Sequence, residues 1–355
     1  MNFSTFIKRN HTHFVQQIQQ QLASCTGFGH VEAPFARSTI TDLQNFSTKG
    51  KLIRGLLIPY LVQVLQKTDS DTISDAVWYA ATAIELAHSA LLIHDDIIDN
   101  DEHRRGNPSM HTQLAKLPER HDKKYGESLA ICTGDIAIFL AFELLQQSSS
   151  DPILLQKLTT LFSRELRIVG IGEMMDVQMS ASSIIPSIAD IEEMYRLKTA
   201  RYTFSLPFTM GTVLAEITDT ERLLPLFEQA GEHLGILFQI QDDEIGLTGT
   251  QEQTGKPIGS DIREGKKTIA WSALYTKATP SERSMLDQIA GKASADISEI
   301  QNVIQLYEQY DIQSVIKERT DYHTSKIHAI QDQIHPIIGR PVLSELITML
   351  ENRIK

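Results

Sequence analysis

The chain has 355 residues and a mass of 39.9 kDa, and its 33 basic residues against 45 acidic residues give a net charge of −12. This balance argues against a nucleic-acid partner and against docking on an anionic membrane, because both need a basic surface. Hydrophobic residues make up 41% of the chain, which is a globular composition rather than a disordered one.

The two cysteines, Cys25 and Cys132, are far apart in the sequence. Because such a pair forms neither a disulfide framework nor a zinc site, a reducing, cytoplasmic location is predicted. The first residues lack the long apolar segment of a signal peptide. The longest apolar runs, residues 56–62 and 136–142, are far shorter than the roughly 20 residues that span a bilayer, so no membrane span is predicted.

Helical patterns run through nearly the whole chain, and they predict an all-α fold. Between residues 74 and 98, alanines recur at spacings of three or four, which marks one face of a helix. The Asp-Pro at 151–152 and the Thr-Pro at 279–280 each pair an N-cap residue with a proline at the first helical position. Residues 297–310 again have helical periodicity. No hairpin signal separates alternating apolar runs, so no sheet is predicted.

Polar segments between the helices mark the loops. Residues 101–126 and 147–150 are two of them, and residues 246–265 form a third that carries five glycines. A connection as long as the third is unusual, and such loops are often functional. No shift in composition marks a boundary, so a single domain over residues 1–355 is favoured over the two that about 150 residues per domain would suggest.

A run of acidic residues follows the alanine-rich helix. It consists of Asp95, Asp96, Asp99, Asp101 and Glu102. Asp95 and Asp99 are four positions apart, so both carboxylates project from one helix face, where like charges destabilise a helix unless something neutralises them. Such a run can simply be a solvated helix end. A binding site is favoured here because the run ends an otherwise buried helix and arginines follow at once.

A second acidic cluster, Asp242, Asp243 and Glu244, follows another apolar helical segment. Two buried helices that each end in paired aspartates can face the same cavity. Carboxylate oxygens without cysteine, and without histidine at ligand spacing, suit hard cations such as Mg²⁺. Because Mg²⁺ is usually held by one or two carboxylates, water and substrate phosphates, the clusters indicate a phosphate-bearing ligand.

Basic residues accompany both acidic clusters. Arg104 and Arg105 are the best candidates for phosphate binding, because guanidinium forks match phosphate oxygens. Lys51 and Arg54 are three positions apart, which predicts that they lie on one helix. Taken singly, such residues are more often surface charges than ligands. The further candidates are Lys198, Lys256, Lys266 and Lys267.

Together these segments resemble the trans-isoprenyl diphosphate synthases, or polyprenyl synthetases. LLIHDDIID, followed by RRG and by Met110-His111, resembles the first aspartate-rich motif of that family. FQIQDDEIG, followed by TGKPIGSDIREGKKT, resembles the second, and YRLKTARYTF lies between them. The resemblance runs from about residue 49 to about residue 268, with a helical C-terminal part over residues 269–355. The motifs look most like those of bacterial and archaeal geranylgeranyl diphosphate synthases.

The resemblance implies a single-domain isoprenoid synthase bundle of helices around a central cavity. It also implies a Mg²⁺-dependent, head-to-tail condensation of isopentenyl diphosphate with an allylic diphosphate (dimethylallyl, geranyl or farnesyl), which releases pyrophosphate. Three Mg²⁺ ions are expected, with Asp95, Asp99 and Asp242 as ligands and Asp96 beside the first pair. A homodimer is implied as well.

The same resemblance assigns the substrate-binding residues. The allylic diphosphate is expected to bind Arg104, Lys198, Lys256 and Lys266. The pocket for isopentenyl diphosphate is expected to contain Lys51, Arg54, His88 and Arg105. Thr199 and Gln239 match groups whose oxygens face the developing carbocation. Without the resemblance, His88 is more simply a buried core histidine.

Two positions depart from the family pattern. Gly246 takes the fifth place of the second motif, where many members have aspartate, and Glu173 in GEMMD takes a place where glutamine is commoner. Glu244 is two residues from Asp242, on nearly the opposite helix face, so it does not replace the missing carboxylate. Asp261 is the candidate for a compensating, water-mediated contact.

In this family, the bulk of the residues under the first motif limits product length. Ala90 and Leu91 stand five and four residues before Asp95, where the family pattern implies that an aromatic would block growth beyond farnesyl diphosphate. Ala87 and Ala83 are also small, so they either leave an apolar groove or permit tight helix packing. Geranylgeranyl diphosphate is the predicted product, with a medium- or long-chain polyprenyl diphosphate as the alternative.

Three other classes share parts of this pattern. A class I terpene cyclase would share the first motif and the fold, but the N-D-x-x-S-x-x-x-E type of second motif is not found. A non-catalytic prenyl synthase subunit would normally have lost metal or diphosphate residues, and nearly all are present. A metal-binding structural protein would not need His88, Lys198 and Gln239 at these places.

Overall fold

Helices make up nearly all the regular structure of the computed structural model, which describes residues 1–25, 34–68, 73–104, 106–116, 122–248, 259–292 and 294–351. The predicted all-α fold is confirmed. In chain order the helices are α1 Phe3–Ser24, α2 Pro34–Ser47, α3 Ile53–Leu65, α4 Asp75–Ile98, α5 Met110–Leu114, α6 Lys123–Leu145, α7 Pro152–Ala181, α8 Ile188–Tyr195, α9 Leu206–Leu214, α10 Thr220–Thr248, α11 Ser260–Glu264, α12 Ile269–Lys277, α13 Pro280–Ile289, α14 Ile297–Gln309, α15 Ile312–Ile338 and α16 Val342–Glu351. A 3₁₀ turn (Gln146–Ser148) follows α6, and a π-helix (Arg196–Ser205) joins α8 to α9.

Local capping chemistry explains where several helices begin. α7 begins at Pro152 and α13 at Pro280, as the Asp-Pro and Thr-Pro signals predict. At α13 the Thr279 hydroxyl accepts a hydrogen bond from the Glu282 N–H, and the Glu282 carboxylate accepts one from the Thr279 N–H at 2.8 Å. This reciprocal capping box satisfies N–H groups that a helix start leaves without an intrahelical partner.

A short antiparallel ladder interrupts the helices, contrary to the expectation that the chain has no sheet. β1 (His103–Arg104) pairs with β2 (Asn107–Pro108). Gly106 in the turn has φ of 72°, a conformation that glycine adopts without steric cost. Strands of two residues are too short for alternation to reveal them, which is why the pattern of the sequence missed this ladder.

The described residues divide into two compact units. The N-terminal unit comprises Met1–Ser163 with Pro207–Leu224. At its centre, α4 is buried along most of its length and packs against α3 and α6. The Gly55 N–H of α3 donates to Glu85 Oε1 of α4 at 2.7 Å, and a Cβ on Gly55 would come within 2.8 Å of the Glu85 Cγ. The absence of a side chain therefore allows α3 to approach α4 closely.

The C-terminal unit comprises Arg164–Leu206 with Pro225–Lys355. Within it, the glycines of α10 lie directly against the backbone of the π-helix. A Cβ on Gly231 would stand 2.4 Å from the Ser205 nitrogen, and one on Gly235 would stand 2.1 Å from the Ala200 Cα. Because the two glycines are four residues apart on one face, they form a stripe without side chains against which the π-helix packs.

Among the residues that the structure describes, two helical segments are long and apolar enough to cross a membrane by length and composition alone, Asp75–Ile98 and Lys123–Ser148. In the first, 78% of the most apolar window is buried inside the protein, and in the second, 44%. The core helices of soluble proteins meet the same criterion. Of the apolar runs seen in the sequence, residues 136–142 lie in the second of these segments, whereas residues 56–62 lie in the shorter helix α3. The absence of a membrane span stays a prediction.

Candidate active site

The first acidic cluster lies at the C-terminal end of α4. Asp99 closes this helix, because its N–H donates to the Asp95 carbonyl at 2.8 Å. The Asp96 side chain is fully buried, whereas Asp95 and Asp99 are partly exposed. The two carboxylates predicted to bind metal are therefore the ones that a ligand can reach.

Arg104 supplies positive charge to this cluster. From β1, its Nε donates to Asp96 Oδ1 and its Nη2 donates to Asp95 Oδ2 at 3.0 Å. Burial raises the pKa of Asp96 to about 6, against the lowering effect of the Arg104 guanidinium. The short ladder thus holds a guanidinium against two neighbouring carboxylates, which explains how a buried helix tolerates them.

His88 and Arg54, both predicted for the isopentenyl diphosphate pocket, contact each other. Arg54 Nη1 on α3 lies 3.1 Å from His88 Nε2 on α4. Because a guanidinium only donates hydrogen bonds, His88 Nε2 accepts this one, and its proton resides on Nδ1. His88 is buried, and its ring is hydrogen-bonded to a guanidinium rather than packed only among apolar side chains. Its role in the isopentenyl diphosphate pocket stays a prediction.

Lys51 does not lie on the same helix as Arg54, so that prediction is wrong. α3 begins at Ile53, and Lys51 is exposed before it. The flanking Gly50 and Leu52 have positive φ of 101° and 50°. A backbone in the left-handed region cannot continue a right-handed helix, so the helical spacing does not extend to Lys51.

Lys198 projects from the π-helix toward α7. Its Nζ lies 2.6 Å from Asp176 Oδ2 and 2.9 Å from Glu173 Oε2. Gly172 makes this approach possible, since a Cβ there would stand 2.3 Å from the Lys198 nitrogen. The sequence marked Glu173 only as a departure from the family pattern, and it did not mark Asp176. Glu173 and Asp176 are three positions apart, a spacing that places both carboxylates on one helix face, and this was the available signal.

Thr199 and Gln239, the two residues matched to groups that face the carbocation, contact each other. The Thr199 hydroxyl donates to Gln239 Oε1 at 2.9 Å, and Gln239 Nε2 donates to Asp243 Oδ1 at 2.7 Å. The Tyr195 hydroxyl donates to the other oxygen of Asp243. Desolvation and the nearby Asp261 carboxylate raise the pKa of Asp243. Asp243 therefore fixes the orientation of the Gln239 amide, which in turn orients the Thr199 hydroxyl.

A network of buried and partly buried charges lies beside the π-helix, and no sequence pattern indicated it. The Arg201 guanidinium makes two hydrogen bonds of 2.8 Å to the Glu165 carboxylate, and it also donates to Glu228 and Glu232 of α10. Glu165, on α7, is 1% exposed. Arg201 thus ties the turn that carries Lys198 and Thr199 to two other helices.

The second acidic motif lies near the C-terminal end of α10. A Cβ on Gly246 would stand 2.6 Å from Asp261 Oδ2, so the Asp261 carboxylate lies directly beside the position where the family pattern has aspartate. Glu244 accepts a hydrogen bond from Gln313 of α15 at 2.7 Å. This engagement agrees with the inference that Glu244 does not replace the missing carboxylate of the Asp242 motif.

Lys266 follows α11 and is anchored through both its backbone and its side chain. Its N–H donates to the Asp261 carbonyl at 2.9 Å, and its Nζ pairs with Glu264 at 2.9 Å. Two predicted ligands, Arg105 and Lys256, lie outside the described residues, and their roles stay predictions.

The small residues beneath the first motif are all buried. Ala83, Ala87 and Ala90 are at most 1% exposed, so neighbouring parts of the protein cover them closely. Of the two interpretations that the sequence left open, this burial agrees with tight helix packing. Leu91, one turn before Asp95, is partly exposed instead.

Comparison with known proteins decides the family. The sequence profile of the polyprenyl synthetases matches residues 41–307. The chain belongs to the polyprenyl synthetase family. A short chain isoprenyl diphosphate synthase of Methanocaldococcus jannaschii is 34% identical over 257 residues, which cover 72% of each chain. A geranylgeranyl diphosphate synthase of Sulfolobus acidocaldarius is 31% identical over 292 residues, which cover 80% of this chain and 81% of that one.

Solved structures share the fold of this polyprenyl synthetase. A geranylgeranyl pyrophosphate synthase of Corynebacterium glutamicum, complexed with isoprenyl diphosphate and magnesium, has a TM-score of 0.85 at 24% identity, over 100% of this chain and 99% of that one. A farnesyl diphosphate synthase of T. brucei complexed with risedronate has a TM-score of 0.79 at 20% identity, over 98% and 99%. The resemblance seen in the motifs is confirmed, and the protein is a prenyltransferase.

Prenyl synthetases are metal-dependent, and the donors at the end of α4 fit a hard cation. In the described part of the chain, no group of three or more His, Cys, Asp or Glu side chains forms a preassembled metal site. The Asp96 Oδ2 is buried and has no hydrogen-bond partner among the described residues. Carboxylate oxygens that are not yet a closed cage suit Mg²⁺, which takes its other ligands from water and substrate phosphates.

Proposed function

We propose that this prenyltransferase condenses isopentenyl diphosphate with an allylic diphosphate, head to tail, and releases pyrophosphate. The observation that carries the proposal is the end of α4, where Asp95 and Asp99 are partly exposed and Arg104 is bound to Asp95 and Asp96. Such carboxylates suit Mg²⁺, and a guanidinium suits phosphate oxygens. The names of the curated relatives support the same reaction. The family profile covers residues 41–307 and so includes residues of both units, which supports the proposal that they belong to one polyprenyl synthetase domain over residues 1–355.

Different charged residues are proposed to bind the metal ions, the allylic diphosphate and isopentenyl diphosphate. Asp95 and Asp99, and Asp242 of α10, are the proposed ligands of three Mg²⁺ ions, and Asp261 beside Gly246 is proposed to supply a water-mediated contact to the third. Mg²⁺ held by these carboxylates would neutralise negative charge on the leaving diphosphate, the charge that opposes ionisation of the allylic C–O bond. The proposed ligands of the allylic diphosphate are Arg104, Lys198, Lys256 and Lys266. Those of isopentenyl diphosphate are Lys51, Arg54, His88 and Arg105.

The oxygens of Thr199 and Gln239 are proposed to stabilise the allylic cation after ionisation. Water would quench this cation, so it needs an apolar site with a few fixed dipoles. The link from Thr199 through Gln239 to Asp243 holds such dipoles without adding a nucleophile. The double bond of isopentenyl diphosphate then attacks the cation, and the released pyrophosphate accepts the proton that is lost.

Product analysis tests the proposed function. Incubation with isopentenyl diphosphate, Mg²⁺ and each of dimethylallyl, geranyl and farnesyl diphosphates is expected to yield elongated prenyl diphosphates. Chromatography of the dephosphorylated products is expected to show geranylgeraniol as the main end product. Excess EDTA is expected to stop the reaction, because it removes the cation that neutralises the leaving group. The proposal fails if no starter is elongated.

Geranylgeranyl diphosphate is proposed as the product because neither Ala90 nor Leu91 is aromatic. Replacing Leu91 with phenylalanine is expected to shift the main product to farnesyl diphosphate, since an aromatic ring one turn below Asp95 would obstruct the growing chain. The matched control is Leu92→Phe, which places the same ring about 100° around the helix. A product unchanged by Leu91→Phe would contradict this location of the growing chain, and a longer main product from the parent chain would support a medium- or long-chain synthase.

A cytoplasmic homodimer is proposed for the assembled enzyme. Ile171, Met174 and Val177 recur every three residues on α7 and are exposed, Met174 at 73%. Exposed apolar stripes of this kind mark interaction surfaces. Light scattering on the purified chain is expected to give twice the mass of one chain, and a monomeric mass would contradict the proposal.

A further inference from the structure

The ammonium group of Lys198 is held between two carboxylates of one helix. Asp176 Oδ2 and Glu173 Oε2 approach its Nζ at 2.6 and 2.9 Å. The close backbone contact at Gly172 brings α7 and the π-helix together at this point, and the Lys198 side chain is 18% exposed beside both carboxylates. An anion that binds Lys198 must therefore compete with carboxylates that are already in place.

The two carboxylates differ in burial and in the length of the ion pair. Asp176 makes the shorter pair and its side chain is 12% exposed, whereas the Glu173 side chain is 21% exposed. The shorter, more buried pair is suited to anchor Lys198, because charge-assisted bonds strengthen where water is excluded. The longer and more accessible pair is the one that an incoming anion displaces more easily.

We propose that the Glu173 carboxylate lowers the affinity of the Lys198 site for a diphosphate group and so promotes the release of pyrophosphate. A diphosphate that binds Lys198 displaces the Glu173 carboxylate, and the negative charge of this carboxylate repels the bound diphosphate. When pyrophosphate leaves, the Glu173 carboxylate pairs with Lys198 again. Glutamine at this position would keep the size and a hydrogen-bond acceptor but remove the repulsion. The inference rests on the proposed function of Lys198 as a diphosphate ligand.

The test is an isothermal calorimetric titration of the full-length chain with inorganic pyrophosphate in the presence of EDTA. Glu173→Gln is expected to bind pyrophosphate about three- to tenfold more tightly than the parent, the size expected when one like charge is removed near a partly solvated site. The KM of Glu173→Gln for the allylic diphosphate, measured with Mg²⁺, is expected to be lower than that of the parent as well. Disruption of the fold would weaken binding, so a gain in affinity distinguishes the proposed role from a structural one.

The charge-matched control is Glu193→Gln. Glu193 pairs with Arg196 rather than with Lys198. This variant therefore removes one negative charge from the same unit and leaves the ion pairs of Lys198 with Glu173 and Asp176 unchanged. Unchanged or weaker pyrophosphate binding by Glu173→Gln, an equal gain in the control, or a KM that does not fall would overturn the inference. If no starter is elongated by the parent chain, the proposed function fails, whereas the pyrophosphate titration still reports on Glu173.

Discussion

Replacing Asp95 with alanine is expected to lower kcat/KM for the condensation by about 10³-fold, the upper range seen when a group that stabilises transition-state charge is removed. Asp95 lies at the accessible end of α4 and accepts a hydrogen bond from Arg104 Nη2 at 3.0 Å. The substitution removes a proposed metal ligand and also frees one side of the arginine. Steady-state rates with saturating Mg²⁺ measure the effect, and circular dichroism is expected to show unchanged helix content.

The control for this result is Asp135→Ala in α6. Asp135 belongs to the same unit, its side chain is 56% exposed, and its ion pair is with His94 at 3.7 Å. The Asp135→Ala variant loses the same charge at a position outside the proposed site. Its kcat/KM is therefore expected to stay within about twofold of the parent value, a change no larger than the free energy of an exposed ion pair. Activity that persists in Asp95→Ala would contradict the metal-site interpretation.

The second large effect is expected at Arg201, where replacement by methionine should lower the free energy of unfolding by about 3 kcal/mol, the lower end of the range for breaking a buried ion pair. Arg201 is 7% exposed, and its removal leaves the buried Glu165 carboxylate with fewer donors. Arg164 still donates to Glu165 at 2.8 Å, so the charge is not left wholly uncompensated. Urea denaturation followed by circular dichroism measures the loss.

Arg164→Met provides the comparison for Arg201. Arg164 touches Glu165 and Glu228 from the same network, but its side chain is 37% exposed. Its replacement is expected to cost less than about 1 kcal/mol, because water screens such pairs. Equal losses in the two variants would show that burial does not set the strength of this network.

Local chemistry explains why the helices and motifs could be predicted. A proline after a capping residue starts a helix through contacts within four residues, as at Thr279 and Glu282, and these need no partner from elsewhere. The four-residue spacing of Asp95 and Asp99 likewise places both carboxylates on one face by helix geometry alone. Where the prediction for Lys51 was wrong, the cause was also local, since Gly50 and Leu52 adopt left-handed conformations that residue spacing does not reveal.

The partners of the candidate site residues could not be predicted in the same way. The hydrogen bond between Arg54 and His88 joins residues 34 positions apart, and that between Thr199 and Gln239 joins residues 40 positions apart. Arg201 reaches Glu165 across 36 positions. Each of these pairs depends on which helix faces pack together, and the spacing of residues along one helix does not contain that information.

By itself, the sequence determined the all-α class, the family and the order of its two acidic motifs, because these follow from periodicity and from residues that lie next to one another. Only the tertiary structure decided that Arg104 is held by a ladder against Asp95 and Asp96, and that Lys198 is clamped by Glu173 and Asp176. The physical reason is that such contacts require close approach of separate elements. At Lys198 that approach depends on a glycine whose missing side chain matters only once α7 and the π-helix have packed.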